Sequence, residues 1–325
     1  MINIALYCDN DKRFLKSDFL EGDHEYSYLQ KYFNKIGYSL DTYRNYDLKK
    51  IKPDFCIFLD MPFKSIRSII PSDVKKILIL REPYLVRKDN YDINKHKDFD
   101  KVLTWNEELL EKGGKYIFYP STRFFKENFV KREISYCDKK FLCLINGNLS
   151  SRVKGELYSE RVNVAKWFER NQPDVFDLWG RGWDKFTIKL GNKFLRLKKP
   201  LFIRPSWRGE IDNKLKCLSG YKFAICFENS KNNNNYITEK IFDCFLSGAV
   251  PIYFGAPNVT KFIPKSCFID YREFKDINDM YSYLINISED RYLEYQSEIE
   301  RFLSSKHSST FSIENWSFAI KAALF

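Results

Sequence analysis

Residues 221–257 read YKFAICFENSKNNNNYITEKIFDCFLSGAVPIYFGAP, and the architecture is decided here. The apolar run 222–227 has the length and composition of a buried strand, and it delivers Glu228 and Asn229 to a sheet edge. Thr238 stands where a helix cap is wanted, and from Glu239 onward Ile241, Phe242, Phe245 and Leu246 fall on one helical stripe. Gly248 closes the helix where a positive φ is needed, and VPIYFG returns as a second buried strand. Strand, helix and strand in that order make a parallel α/β unit. Its chemistry gathers at the helix start, where Lys240 places a full cation beside N–H groups that already carry a partial positive charge. That arrangement suits an anion such as a diphosphate; the plainer alternative is a solvated Lys beside an ordinary first-turn Glu.

The same alternation runs through the rest of the chain. NIALY, the stretch around 38–43, DFCIFLD, KKILILRE, KVLTW and YIFYP read as short strands, with helices expected at 26–36 and after Met61. A charged, irregular stretch over 124–140 follows, then KFLCLING, a helix over 159–170, VFDLWGRG, a basic segment, the run quoted above and CFIDY. The expected class is α/β, with two Rossmann-like doubly wound domains facing a cleft. The expected boundaries are 1–125, a linker over 126–140, a second domain over 141–290, and C-terminal helices over 291–325. Asn232, Asn233, Asn234 and Asn235 form a turn-rich loop tip.

Composition narrows the function classes. At 44% hydrophobic and 17% aromatic over 325 residues, the chain can fill large cores, which excludes wholesale disorder. No stretch is apolar enough to span a bilayer, and the first residues lack a basic region followed by a long apolar one, so a cytoplasmic protein is expected. The eight cysteines are scattered and read as buried thiols, and the three histidines are too far apart to build a metal site. The net charge of +11 is partly local: 185–222 carries eleven basic residues against two acids, mixed with Phe194, Leu195, Phe202 and Trp207. Such a run over 185–204 suits an anionic membrane surface, or it is a solvated loop with strands. Two D-x-D triplets, at Asp9 and Asp11 and at Asp98 and Asp100, are read as turn and surface acids rather than metal ligands.

The order FEN, Tyr236, Thr238-Glu239-Lys240, Val250-Pro251 and Tyr253-Phe254-Gly255 resembles the donor signature of the α1,3/α1,4-fucosyltransferases, glycosyltransferase family 10. CLINGN, ERVNVAKWFER and VFDLWGRGW follow that family's order upstream, so the likeness runs from about 142 to 271. It implies a GT-B enzyme that transfers L-fucose with inversion from GDP-fucose, without a metal or other cofactor. By position it implies Lys240 and Arg161 on the diphosphate, Glu239 and Tyr236 on the ribose, Asn229 along the phosphate and sugar, and Glu228 beside them. For Arg161 the plainer alternative is a salt bridge to Glu160 or Glu156.

In that family the catalytic base is a Glu just after a first-domain strand, which places Glu82 of KKILILREPYL in the role, with Pro83 where Asn or Ser often stands. A pairing with Arg81 or Arg87 is the alternative for Glu82, and Asp60 and Asp177 are the reserve bases. The expected acceptor is an oligosaccharide or lipid-linked glycan of lipopolysaccharide O-antigen or capsule synthesis. Rival readings are a GT-B transferase using GDP-mannose, GDP-colitose or a UDP-sugar, a basic nucleic-acid-binding protein, and a silent sugar-binding homologue. No helix-turn-helix, zinc-finger or RNP-like motif supports a nucleic-acid partner.

Overall fold

Short β-branched and aromatic runs bounded by polar turns become strands throughout, and the polar-faced segments between them become helices. The computed structural model describes residues 2–8, 25–125, 134–190, 193–198 and 204–325, with backbone alone at 69, 186–190 and 193–198. The chain divides into two units, the first comprising Met1–Arg123, Asn234–Tyr236 and Thr310–Phe325, the second Phe124–Asn233 and Ile237–Ser309.

The first unit holds β1 (Ile2–Tyr7), α1 (Glu25–Lys35), β2 (Tyr38–Thr42), α2 (Tyr43–Lys49), β3 (Phe55–Leu59), α3 (Lys64–Ile69), β4 (Lys75–Leu80), β5 (Lys101–Thr104), α4 (Glu107–Leu110) and β6 (Tyr116–Phe118). Its six strands are all parallel in the order β2-β1-β3-β4-β5-β6. The order reverses between β1 and β3, so the carboxyl end of β3 opens at a topological switch point.

The second unit holds β7 (Lys140–Ile145), α5 (Tyr158–Asn171), β8 (Phe176–Trp179), β9 (Lys185–Leu190), β10 (Lys193–Lys198), α6 (Lys214–Ser219), β11 (Tyr221–Phe227), α7 (Glu239–Ser247), β12 (Val250–Phe254), β13 (Ile269–Asp270), α8 (Ile277–Ile285) and α9 (Glu289–Ser304). Its parallel sheet runs β13-β12-β11-β7-β8, which puts a second switch point between β7 and β11. Ile241, Phe242, Phe245 and Leu246 of α7 are buried as their spacing predicts, each contributing on the order of 2 kcal/mol of apolar burial. Gly248 ends that helix at φ 72°.

Several boundaries differ from the sequence expectation. The last helix, α10 (Ile313–Leu324), packs on α1 and β4 of the first unit, whereas α9 belongs to the second, so the C-terminal helices are not one block. Trp316 of α10 explains the placement, because its ring sits under the Arg123 guanidinium at 4.9 Å and against Tyr26. Residues 126–133 of the expected linker lie outside the described residues, but Lys139 is built into the second unit, donating from Nζ to the Gly248 carbonyl at 3.0 Å. The basic run contributes an antiparallel hairpin, β9 with β10, while 199–203 and the 9–11 triplet lie outside the described residues. Part of its charge is spent internally: Arg204 pairs with Glu169, Arg208 with Asp177, and Lys214 with Asp243. Cys137 is exposed and Cys217 half-buried, so not all the thiols are interior; the eight are unbridged.

Candidate active site

In the second unit the site is built around a carboxylate with no exposure at all. Glu228 follows β11 at the switch point, and its backbone N–H is fixed by the Phe254 carbonyl at 2.8 Å. Its Oε1 accepts the Thr238 N–H at 2.7 Å, and its Oε2 accepts the Thr238 hydroxyl at 2.7 Å and Lys240 Nζ at 3.3 Å. A buried carboxylate is tolerable only when hydrogen-bonded and neutralised in this way. The expected capping role of Thr238 is corrected here: it occupies the cap position of α7, but its hydroxyl joins Glu228 to Lys240 Nζ, 2.8 Å away, and caps nothing. Glu228 takes the orphan N–H instead.

Arg161, in the first turn of α5, is also buried. One of its guanidinium nitrogens, Nη2, donates to the carbonyls of Phe227 and Glu228 at 2.6 and 2.8 Å and to Asn229 Oδ1 at 3.2 Å. Neither alternative ion pair for it forms, because Glu156 caps α5 through Tyr158 and Ser159 and Glu160 accepts from Tyr271. Burial pulls the Lys240 ammonium down, yet the Glu239 and Glu228 carboxylates outweigh it and Arg161 only partly opposes them, so its pKa rises. Partial desolvation pushes the Glu239 carboxyl up, but Lys240 and Lys214 bring it to about 2. The Glu239 side chain keeps 57% of its exposure, so it presents a charged acceptor to solvent. Gly255 completes the cradle, since a Cβ there would lie 2.4 Å from Glu228 Cγ and 2.6 Å from the Tyr253 hydroxyl.

The first unit carries Glu82, partly exposed, just after β4. Its backbone is held at both ends: Asp60 Oδ1 accepts its N–H at 3.1 Å, and its carbonyl accepts from Asn90 Nδ2 and the Tyr91 hydroxyl, each at 3.2 Å. The preceding carbonyl, of Arg81, accepts from Trp105 Nε1 at 3.1 Å. Arg81 is paired with Asp60, and Arg87 with Asp89 and the Met61 carbonyl.

Of the expected residues, Arg161, Glu228, Asn229, Glu239 and Lys240 are brought together in the second unit, whereas Tyr236 is not among them. Tyr236 is counted with the first unit and is buried, its ring 4.7 Å from that of Trp105, while the neighbouring Asn235 donates to the Trp105 carbonyl. The reserve bases are corrected too. Asp60 is buried under five donors that occupy both its oxygens; burial pushes the Asp177 carboxyl up, but hydrogen bonds from Lys140, Arg208 and the Tyr221 hydroxyl hold it below the usual carboxylate range, which makes it a weak base. Asp98 and Asp100 hold Arg67 and the Lys76 N–H, as surface acids do. Sequence reasoning missed Lys214 and Trp105, whose partners lie far away along the chain, and took Gly255 only as part of the signature, without its close approach to Glu228.

Two parallel sheets, each with its own switch point, and an anion cradle at a helix start define the class: a GT-B glycosyltransferase fold. A solved α1,3-fucosyltransferase with GDP-fucose has the same fold, with a TM-score of 0.58 at 16% identity over 99% of this chain and 90% of that one. An α-glucosyltransferase with UDP-glucose and DNA gives a TM-score of 0.60 at 9% identity, covering 99% of this chain and 98% of the other. The profile described as glycosyltransferase family 10 (fucosyltransferase) C-term matches residues 195–316. The α-(1,3)-fucosyltransferase FucT of Helicobacter pylori is 36% identical over 118 residues, 35% of this chain and 24% of that one. The α-(1,4)-fucosyltransferase of Arabidopsis thaliana is 39% identical over 82 residues, 25% of this chain and 20% of that one. The match thus spans a quarter or less of the length of these two relatives. Among the described residues, no helix is long and apolar enough to cross a membrane.

Proposed function

We propose that the chain is an inverting glycosyltransferase that moves L-fucose, or a related 6-deoxy sugar, from its GDP derivative to a hydroxyl of a glycan. The observation that carries this reading is the gathering of Arg161 and Lys240 about Glu228 at the start of α7, with Glu228 and Lys240 inside the segment matched by the family profile. Two cations at a helix N-terminus stabilise the negative charge that develops on departing GDP, and they supply there what a divalent ion supplies elsewhere. Glu239 is the acceptor for ribose hydroxyls. Glu82 takes the proton of the acceptor hydroxyl as its oxygen attacks the anomeric carbon opposite GDP. The bond to GDP breaks, and one inverted glycosidic bond forms.

The acceptor is taken to be an oligosaccharide or lipid-linked precursor of a surface polysaccharide, handled in the cytoplasm, with the basic run 185–204 resting on anionic lipid. The mixture of Lys, Arg and large apolar residues in that run supports the placement. Equal vesicle binding by a charge-reversed run at low salt would remove it.

Thermal shifts with GDP and UDP test the donor, GDP being expected to raise the melting temperature more. Transfer from GDP-fucose to a 4-galactosyl-N-acetylglucosaminide, the acceptor class in the name of a mouse relative, tests the reaction, with and without EDTA. Preference for UDP, or turnover only with added metal, would sink the reading.

A further inference from the structure

Asp60 occupies a position that no donor or base role explains. It follows β3 at the first switch point, is 2% exposed, and adopts φ 64°, a left-handed backbone that Asp tolerates better than most residues but that still costs free energy. Strain of this kind persists where surrounding contacts over-determine it, and the Asp60 carboxylate binds the loop bearing Glu82 and its support. Oδ1 accepts the N–H groups of Arg81 and Glu82 at 2.8 and 3.1 Å and Asn90 Nδ2 at 2.8 Å; Oδ2 accepts Arg81 Nε and Nη2 at 3.2 and 3.0 Å. A glycine would have met the backbone requirement, so the carboxylate answers a different need.

We propose that Asp60 is the positioning residue for the base: it fixes the backbone of Glu82 and holds the Arg81 guanidinium, so that Arg81 does not suppress the proton affinity of Glu82. The inference rests on reading Glu82 as the base. Arg81 is charged at all working pH values and is the neighbour of Glu82 in sequence, so an Arg81 without a counter-ion holds a carboxyl beside it in the ionised, weakly basic form. Asp60 and Arg81 together form a balanced pair. Other charged or titratable groups around the loop are Tyr91, whose hydroxyl donates to the Glu82 carbonyl; Glu108, which bears on Tyr91; Arg87 with Asp89; and Tyr26 and Cys8 on the far side of Arg81. All stay unchanged in the variants below.

Asp60→Asn is close to isosteric and tolerates the left-handed backbone. Its amide oxygen can keep the three donors now on Oδ1, while its NH2 faces the guanidinium and releases it. The Glu82 carboxyl is followed by carbon-13 NMR with δ-labelled glutamate, its resonance assigned by its loss in Glu82→Gln. Expected is a fall of about one pH unit in its midpoint for Asp60→Asn, a rise for Arg81→Met, which leaves Asp60 uncompensated, and a return to near wild type in the double variant. With GDP-fucose and an accepted glycan, kcat of Asp60→Asn falls about tenfold or more while KM for GDP-fucose holds, and the double variant recovers the acidic limb of the pH profile. A purely architectural Asp60 would lower the melting temperature without this signed pattern. Unmoved midpoints in both single variants overturn the proposal, and Arg81→Met keeps that outcome readable if Asp60→Asn does not fold. If Glu82→Gln retains transfer, the base reading falls instead, a result the NMR series does not depend on.

Discussion

Asp60 and Glu228 are counterparts. Each is a buried carboxylate just past the third strand of its parallel sheet, where the strand order reverses, and each accepts backbone N–H (two on Asp60, one on Glu228) and a cation. They differ in reach. Glu228 finds Thr238 and Lys240 ten and twelve residues on, within one strand-to-helix crossover. Asp60 finds Arg81 and Glu82 twenty-one and twenty-two residues on, across a full strand, and Asn90 thirty on. A parallel sheet thus builds the same device twice, but only the compact version leaves a contiguous motif in sequence. The second unit gathers two buried or half-buried cations about its carboxylate, whereas the first unit pairs its carboxylate with one.

The most damaging test of that contrast is Glu82→Gln. Transfer should fall by about a thousandfold, since general base catalysis is worth roughly two to four orders of magnitude, while GDP affinity measured by calorimetry should not change. Equal losses of binding and turnover would erase the division of labour between the units. Lys240→Ala comes next. On the function proposed above it removes a charge-assisted contact to the diphosphate, and it strands Glu228 without its ammonium, so GDP should bind about a hundredfold more weakly, near 3 kcal/mol. The free protein should also melt lower; retained GDP affinity would mean that the lysine serves only Glu228. Smaller again is Gly255→Ala, which forces a Cβ into Glu228 Cγ and the Tyr253 hydroxyl and should destabilise by about 2 kcal/mol in chemical denaturation. An unaffected midpoint would show that the cradle can relax.

How much of this was readable in advance follows from the same difference in reach. The strands, α7 and its stop at Gly248, and Glu228, Asn229, Glu239 and Lys240 rest on local pattern or on one crossover, whereas Arg161, 67 positions before Glu228, was reached only through the family resemblance. Thr238 was assigned to a cap because its spacing permits one, and nothing local reveals that a carboxylate from the previous strand will claim its hydroxyl. Tyr236 sat in a motif of donor residues, so its burial against Trp105, 131 positions earlier, had no signal. Asp60 looked like a spare base for the same reason: the five donors that occupy it come from residues 81, 82 and 90. The C-terminal helices look alike in composition, and only Trp316 meeting Arg123 and Tyr26 separates α10 from α9.

The smallest effect expected separates the two units by pH. His96 is fully buried in the first unit, with Nε2 2.9 Å from the Asn90 carbonyl and Nδ1 3.0 Å from the Tyr116 hydroxyl. A carbonyl can only accept, so Nε2 carries the proton and Nδ1 accepts from Tyr116. Burial, reinforced by Lys115, lowers the imidazole below its usual value. A lowered folded-state pKa means that the unfolded chain binds the proton first as pH falls through about 6.5, so stability is present above that point and declines below it. The decline should be on the order of 1 kcal/mol or less, seen as faster amide exchange in first-unit strands at pH 5.5 than at 7.5 after correction for intrinsic rates. His96→Gln should flatten it, and an unchanged pH response in that variant would assign the effect to other groups. Because Asn90 joins His96 to Asp60 and to the Glu82 carbonyl, acid should loosen the base loop while leaving the Glu228 cradle, which contains no histidine, as it was.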